Sequence, residues 1–345
     1  MHLLRMRMTR LGPFEEISLD FSEEGTPRPI SVVHGGGGTG KTTMLAALAC
    51  TRPGYAVVTS TSHDGEEPGV SVCEFQLGQD DPERPHPLVV ASPNTRVFAD
   101  EDRETFRRRE QALFDRVARE TGFVFLAIPA TRWFSRQPIA LVGPGRSIAR
   151  YDVRAPIALE DPTRGDLARE TKQVLAYGAV SRVLCSASDD RRFERLYQAL
   201  EHAVNALVGL LGYHWVGLDA LTLEPLFRGD GARNVPFDQL PTSARHLTAF
   251  AALAVRALWA AYPQRHPLES QGIVAIDEVE LHQDLAVLKG LPSAFRTALP
   301  EVQWIVTTSS AIVAASTDVN DVIALRQSTN QAGIELFTGE MARTH

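Results

Sequence analysis

Residues 33–43, "VHGGGGTGKTT", constrain this chain more than any other stretch of its sequence. The spacing fits G-x-x-x-x-G-K-[ST]: Gly35 opens it, Gly36, Gly37, Gly38 and Thr39 fill the gap, and Gly40, Lys41 and Thr42 close it. Successive glycines let a loop turn its backbone N–H groups around a cluster of oxygens with no side chain in the way. Lys41 brings a point charge to terminal phosphates and Thr42 a hydroxyl to magnesium, while Thr43 continues into a helix whose positive end faces the anion. Such a loop needs a strand before it and a helix after it. "PRPISVVHG" reads as the strand and "KTTMLAALAC" as the helix, so the stretch predicts an α/β chain with a nucleotide phosphate site.

A phosphate loop also needs an acid to hold the magnesium. "GIVAIDE" offers an apolar strand, 273–276, that carries Asp277 and Glu278 at its end. The two carboxylates divide naturally into a metal-directed Asp277 and a Glu278 that polarises the attacking water. The acid follows the loop by about 235 residues, whereas compact GTPases and kinases have it much sooner.

At the N-terminus "HLLRMRM" and "EEISLDF" read as strands. "YAVVTS", "VSVCEFQL" and "HPLVVAS", separated by polar turns, predict an antiparallel layer beside the core. "DEDRETFRRREQALFDRVARETG" predicts a helix capped by Asp100, striped by Phe106, Leu113, Phe114 and Val117, and ended by Gly122. Its run Arg107 to Arg109 is balanced by acids and reads as a solvated face, with a phosphate or partner contact as the alternative. "FVFLAIPA" is a strand, and the Pro-, Gly- and Arg-rich text to about Arg164 carries no assignment. A second helix starts at Ser188 or Asp189, is striped by Phe193, Leu196, Leu200, Val204, Leu207 and Leu211, and ends at Gly212. "HWVGLDALTLEPLFRGDGARNVPFDQL" reads as strands, Ser243 to Tyr262 as a helix, and "HQDLAVLKGLPSAFRTAL" as another. The strands "VQWIVTTSS", "DVIALR" and "GIELFT" complete a mainly parallel sheet covered by helices. His246 reads as a packed histidine, and Trp133 and Phe134 as core aromatics.

No apolar run approaches the roughly 18 to 20 residues that span a bilayer, and no cleavage site follows "MHLLRMRMTR", so the expectation is a cytoplasmic chain without a membrane segment. The net charge of -7 disfavours a protein that coats nucleic acid by neutralising phosphates, although local contacts stay open. Cys50, Cys73 and Cys185 are far apart with no CxxC pair, which argues against disulfides and zinc.

The leading strands with "VVHGGGGTGKTTMLAALA", the segment "PFDQLPTSARHL", the run "AIDEVELHQDL" and the strand "WIVTTSS" resemble, in order, parts of ABC-type ATPases of the SMC, RecF and OLD-like superfamily. The resemblance covers about Met1 to Cys50 and Val235 to Ser316. It implies a P-loop NTPase head with a mixed sheet, an antiparallel β layer and a helical lobe, binding ATP and Mg2+. One head over 1–345 is expected, in three lobes: 1–92, 93–234 and 235–345. Two such heads sandwich two nucleotides, so the resemblance implies a homodimer or higher oligomer formed through the ATP sites. It assigns residues 35–42 to the phosphate loop, Asp277 to the metal site, Glu278 and Lys41 to catalysis, and Asp284 to the dimer-contacting position. Glu280 and His282 match the DExExH run of the OLD-like branch. Gln76 and Gln137 are candidates for the Q-loop glutamine, Arg10 and Phe14 for the adenine contact, and Arg132 for the pocket edge.

Two departures stand out. The signature Leu-Ser-x-Gly-x-x is here "LPTSAR", where Pro241 offers neither hydroxyl nor N–H. Thr242, Ser243 and Arg245 are the candidates that substitute across the dimer. The switch histidine is replaced by Ser309, which has neither the charge nor the reach of an imidazole. With no sustained heptads between Thr43 and Leu240, coiled-coil arms are not expected, nor is a nuclease domain after "GIELFTGEMARTH". The resulting expectation is a slowly hydrolysing, magnesium-dependent ATPase subunit that regulates a separate protein effector, in antiviral defence or DNA processing. The alternatives are a nucleotide-binding scaffold without turnover and a RecF-like DNA-repair ATPase.

Overall fold

The structure, a computed structural model, describes residues 1–345 except 53–54, 57–68, 78–83, 85, 93–94, 96, 98–101, 121, 145–164, 186–190, 232, 329–332 and 344–345. The chain opens with β1 (His2–Leu11) and β2 (Phe14–Asp20), whose inward residues alternate as the pleat requires. A short ribbon, β3 (Ser22–Glu23) with β4 (Thr26–Pro27), leads into β5 (Ile30–Gly35), the loop, and α1 (Lys41–Cys50). A second ribbon, β6 (Thr51–Arg52) with β7 (Tyr55–Ala56), precedes β8 (Val70–Gln76) and β9 (Leu88–Ala91). Of the strands expected in an antiparallel layer, β8 and β9 form one with β1 and β2, in the order β2-β1-β8-β9, whereas β7, the described part of "YAVVTS", pairs with β6 instead.

Helix α2 (Arg103–Glu120) lies along this layer. Asp102 accepts the Thr105 N–H at 3.0 Å, as an N-cap does, whereas Asp100 falls outside the described residues. The expected stripe faces inward, with Phe106 and Phe114 buried and Leu113 and Val117 partly buried against the core, and Glu110 and Ala118 are buried beside it. Glu110, fully buried, is tied to Arg84 at 2.6 Å and to the Val89 N–H at 3.0 Å. Arg107 and Arg108 both pair with Glu104, in keeping with a solvated face.

After β10 (Phe125–Ile128) come two helices, α3 (Ala168–Leu184) and α4 (Arg192–Val208). The sequence offered no sign of α3, because Thr171, Lys172 and Ser181 interrupt its buried stripe. Lys172 is held by Glu224 and Asp238, each at 2.9 Å, and by the Gln137 carbonyl. The expected caps of α4, Ser188 and Asp189, lie outside the described residues; Gly212 ends that helical stretch with φ 73°. A small sheet of β11 (His214–Leu218), β12 (Pro225–Arg228) and β13 (Asn234–Pro236) precedes the long α5 (Thr242–Ala261), which is buried along most of its length. Then follow β14 (Gly272–Ile276), α6 (Leu285–Ala298), β15 (Val302–Thr308), α7 (Ala311–Ala315), β16 (Val322–Gln327), β17 (Ile334–Thr338) and α8 (Glu340–Arg343).

The central sheet runs β10-β14-β15-β5-β16-β17, parallel except for β17. Its strands β10, β14, β15 and β5 are buried on both faces and therefore read as nearly continuous apolar runs, whereas the edge strand β17 has no fully buried residue. Ile30, Val32, Val274, Ile276 and Trp304 enter the core under α4, α5 and α6. Val33, Ile273, Ala275, Ile305 and Leu325 enter the core shared with α1 and the antiparallel layer. The period of two thus splits each strand between two cores. Trp133, expected in the core, is 46% exposed, while Phe134 packs edge-on against Phe237 and His246.

Candidate functional site

Parallel strands that share an edge end together, and the crevice beyond their carboxyl ends is where α/β sheets hold ligands. Here β5 delivers the glycine loop, β14 delivers Asp277 and Glu278, and β15 delivers Thr307, Thr308 and Ser309.

The loop admits few substitutes. A Cβ on Gly35 would lie 2.6 Å from the Leu325 carbonyl oxygen and from Thr39 Oγ1. Gly40 has φ 87°, and a Cβ there would lie 2.4 Å from the Phe14 ring. Gly36 and Gly37 face open space. Lys41, 7% exposed, donates from Nζ to the carbonyls of Gly35 at 2.7 Å and Gly36 at 2.8 Å. Thr39 closes the turn on the Gly36 carbonyl at 3.0 Å.

Thr42 Oγ1 donates to Asp277 Oδ2 at 2.8 Å, joining the two motifs across 235 residues. The other carboxylate oxygen accepts from Thr307 Oγ1 at 2.5 Å, and Thr307 Oγ1 in turn accepts the Glu278 N–H at 2.8 Å. Asp277 is 1% exposed, and each of its oxygens has a hydroxyl partner. A hydroxyl and a carboxylate side by side are hard oxygen donors of the kind Mg2+ takes, together with phosphate oxygens and water. Thr42 and Asp277 therefore fit such an ion, and the open backbone at Gly36 and Gly37 leaves room for phosphate beside it.

Glu278 has φ 45° and His282 φ 66°, left-handed values that cost a non-glycine residue about 1–3 kcal/mol and persist only where the surroundings enforce them. The Glu278 carboxylate makes no hydrogen bond among the described residues. Arg132, 4% exposed, donates to the backbone carbonyls of Pro129 at 3.0 Å, Asp277 at 2.6 Å and Glu278 at 2.7 Å. Burial lowers its pKa to about 10, against the pull of the Asp277, Glu280 and Glu278 carboxylates, so it stays charged at neutral pH. Expected at a pocket edge, Arg132 instead lies beneath the acidic turn.

Ser309 donates its N–H and hydroxyl to Glu280 Oε1 at 2.6 and 2.7 Å. Burial opposes ionisation of Glu280, but these bonds outweigh it and hold its pKa below the usual value. His34 hydrogen-bonds the Ser309 backbone, and burial pushes its pKa down. His282 stacks on His246, the ring centroids 5.0 Å apart. His246 is packed as expected, its Nδ1 2.8 Å from the Thr242 carbonyl, and burial with the nearby Arg132 charge lowers its pKa to about 3.

"LPTSAR" forms the start of α5, with Pro241 as its extended N-cap. Arg245 donates to Thr242 Oγ1 at 3.1 Å and lies 5.3 Å from the centroid of the Phe134 ring. No hydrogen bond ties Thr242, Ser243 or Arg245 to the phosphate loop among the described residues. Asp284 is exposed at the start of α6. Two adjunct candidates do not hold. Phe14 is buried against Gly40, so its ring is not available to stack on adenine. Gln76 pairs with His2, at the far end of β1 from the loop.

The strand order, the loop between β5 and α1, and the acids ending β14 give the arrangement of a P-loop nucleotide-binding fold. A family described as an AAA domain matches residues 1–63. An Smc head bound to the C-terminal winged-helix domain of ScpA aligns with TM-score 0.58 at 12% identity, over 98% of each chain. The SMC head domain from Thermotoga maritima aligns with TM-score 0.50 at 13% identity, covering 99% of this chain and 100% of that one. An Smc head with an extended coiled coil, bound to the C-terminal domain of ScpA derived from Pyrococcus furiosus, gives TM-score 0.52 at 14% identity, over 98% of this chain and 96% of the other. The chain thus has the fold of SMC head domains. No helix among the described residues is long and apolar enough to cross a membrane.

Proposed function

We propose that the protein is an ATP-binding subunit that hydrolyses ATP slowly and, through ATP-dependent pairing of two heads, regulates a separate protein partner. The hydrogen bond between Thr42 and Asp277 carries this reading, because it joins loop and acid into one half-site. In it, the N–H groups of residues 35–42 cradle the phosphates, and Lys41 exchanges its carbonyl partners for phosphate oxygens. Thr42 and Asp277 hold Mg2+, which when bound neutralises charge on the phosphates. Glu278 accepts a proton from the attacking water, which suits a carboxylate with no hydrogen-bond partner among the described residues.

Slow turnover follows from the chemistry of the opposite face. Pro241 has no donor, and Ser309 is engaged with Glu280, so the second head brings only Thr242, Ser243 and Arg245 to the terminal phosphate, with Asp284 at the contact. Smc heads held by ScpA show that this fold can carry a protein partner; antiviral defence and DNA processing are the settings in which to seek one here. The test is titration with a fluorescent ATP analogue and Mg2+, with light scattering for mass and phosphate release for turnover. Lys41→Ala is expected to abolish binding, and Glu278→Gln to keep binding, favour the dimer and lower turnover at least tenfold. Binding that survives Lys41→Ala would sink the proposal. Equal release by wild type and Glu278→Gln would instead favour a scaffold without turnover.

A further inference from the structure

The left-handed turn at Glu278 is held from two sides. Thr307 Oγ1 takes its N–H, while its carbonyl accepts from Leu281 N at 3.1 Å and from Arg132 Nη2 at 2.7 Å. Arg132 also satisfies the Asp277 carbonyl, and the Asp277 N–H is bound to the Ile128 carbonyl at 2.9 Å. A single guanidinium, with its donors in a fixed fork, therefore sets two consecutive peptide planes. We propose that Arg132 is a positioning residue for Glu278: by gripping the carbonyls of Asp277 and Glu278 it fixes the backbone, and with it the direction of the Glu278 carboxylate.

The same guanidinium lies 5.3 Å from the ring centroid of Phe250 on α5, the helix that begins at the signature-like "LPTSAR". Arg132 thus connects the end of β10, the acids after β14 and the helix that would meet a second head. A displacement of α5 reaches the acidic turn through it. Among the described residues no carboxylate hydrogen-bonds this guanidinium; its partners there are backbone oxygens, which suits a group that shapes a turn rather than one that binds substrate.

The inference rests on the proposed role of Glu278, and the test separates the two. Wild type, Arg132→Met, Arg132→Lys, Glu278→Gln and the Arg132→Met/Glu278→Gln double variant are compared for kcat, KM and binding of a fluorescent ATP analogue. Arg132→Met is expected to lower kcat at least tenfold while KM and Kd change less than threefold. Arg132→Lys, which cannot span both carbonyls, is expected to fall between. The double variant is expected to be no slower than Glu278→Gln alone, since both act on one step. Hydrogen exchange gives a readout without turnover: in Arg132→Met the Glu278 and Leu281 amides exchange at least tenfold faster, with the interiors of α5 and β14 unchanged. Arg132→Met within twofold of wild type while Glu278→Gln is slow overturns the inference and leaves the role of Glu278 standing. Multiplicative losses in the double variant also overturn it. If Glu278→Gln has no effect, the role of Glu278 falls, and the exchange rates alone then decide whether Arg132 holds the turn; unchanged rates refute that too.

Discussion

Replacing Thr307 by valine isolates the hydroxyl that joins β15 to the acidic turn. The side chains have nearly the same shape, and Thr307 is fully buried, so little besides the hydroxyl is lost. That hydroxyl donates to the Asp277 carboxylate and accepts the Glu278 N–H. A hydrogen bond to a charged group contributes about 1.5–3 kcal/mol, and a buried N–H left without a partner costs about 1–3 kcal/mol. The expected destabilisation is about 3–5 kcal/mol. Thr307→Ser keeps both bonds and loses one methyl, about 1 kcal/mol. Urea unfolding followed by tryptophan fluorescence reads the difference, since Trp304 lies in the same strand. With a slope of about 3 kcal/mol/M the valine variant should unfold about 1–1.7 M below wild type, and the serine variant about 0.3 M below. A valine variant no less stable than the serine variant would refute the reasoning, because the hydroxyl would then contribute nothing to the fold.

Two further outcomes follow from buried ionisable groups. His246 titrates near 3 in the folded protein and near 6.5 in the unfolded chain, which therefore binds more protons between those values. Its contribution is complete above about pH 6.5 and fades as pH falls, so wild type should lose about 2 kcal/mol more than His246→Phe between pH 7 and 5; parallel pH profiles for the two proteins would count against this. Lys172→Met strands Glu224 and Asp238 beside α3 and should cost about 3–5 kcal/mol at pH 7. Burial already raises the Glu224 pKa, so that carboxylate readily takes up a proton and the cost should shrink towards pH 5; thermal melts at the two pH values check the trend.

What the sequence made legible was whatever is written locally. The loop, its flanking strand and helix, and the acid-tipped β14 combine short motifs with apolar runs, and the six-stranded sheet contains each strand read from them. What escaped notice depends on distant partners. Helix α3 carries a buried lysine whose neutralising acids lie 52 and 66 residues away, at Glu224 and Asp238, so no local period reveals it. Arg132 contacts backbone carbonyls 145 and 146 residues away, and carbonyls leave no mark on composition. Thr307 lies in "VTTSS", but its partners Asp277 and Glu278 are 30 and 29 residues away, so nothing local sets its hydroxyl apart from that of Thr308. Phe14 looked available to a base until packing placed it against Gly40.

The position of β5 has a consequence for biosynthesis. Its partners on either side, β15 and β16, begin at Val302 and Val322. A ribosome adding about 5–20 residues per second needs roughly 15–50 s to travel from the end of β5 to β15. For that interval the emerging Ile30–Gly35 segment has both ladder edges open, and its apolar residues lack the neighbours that later cover them. The nascent chain is therefore most prone to aggregate before β15 and β16 appear, and chaperone demand should fall sharply once both have left the exit tunnel.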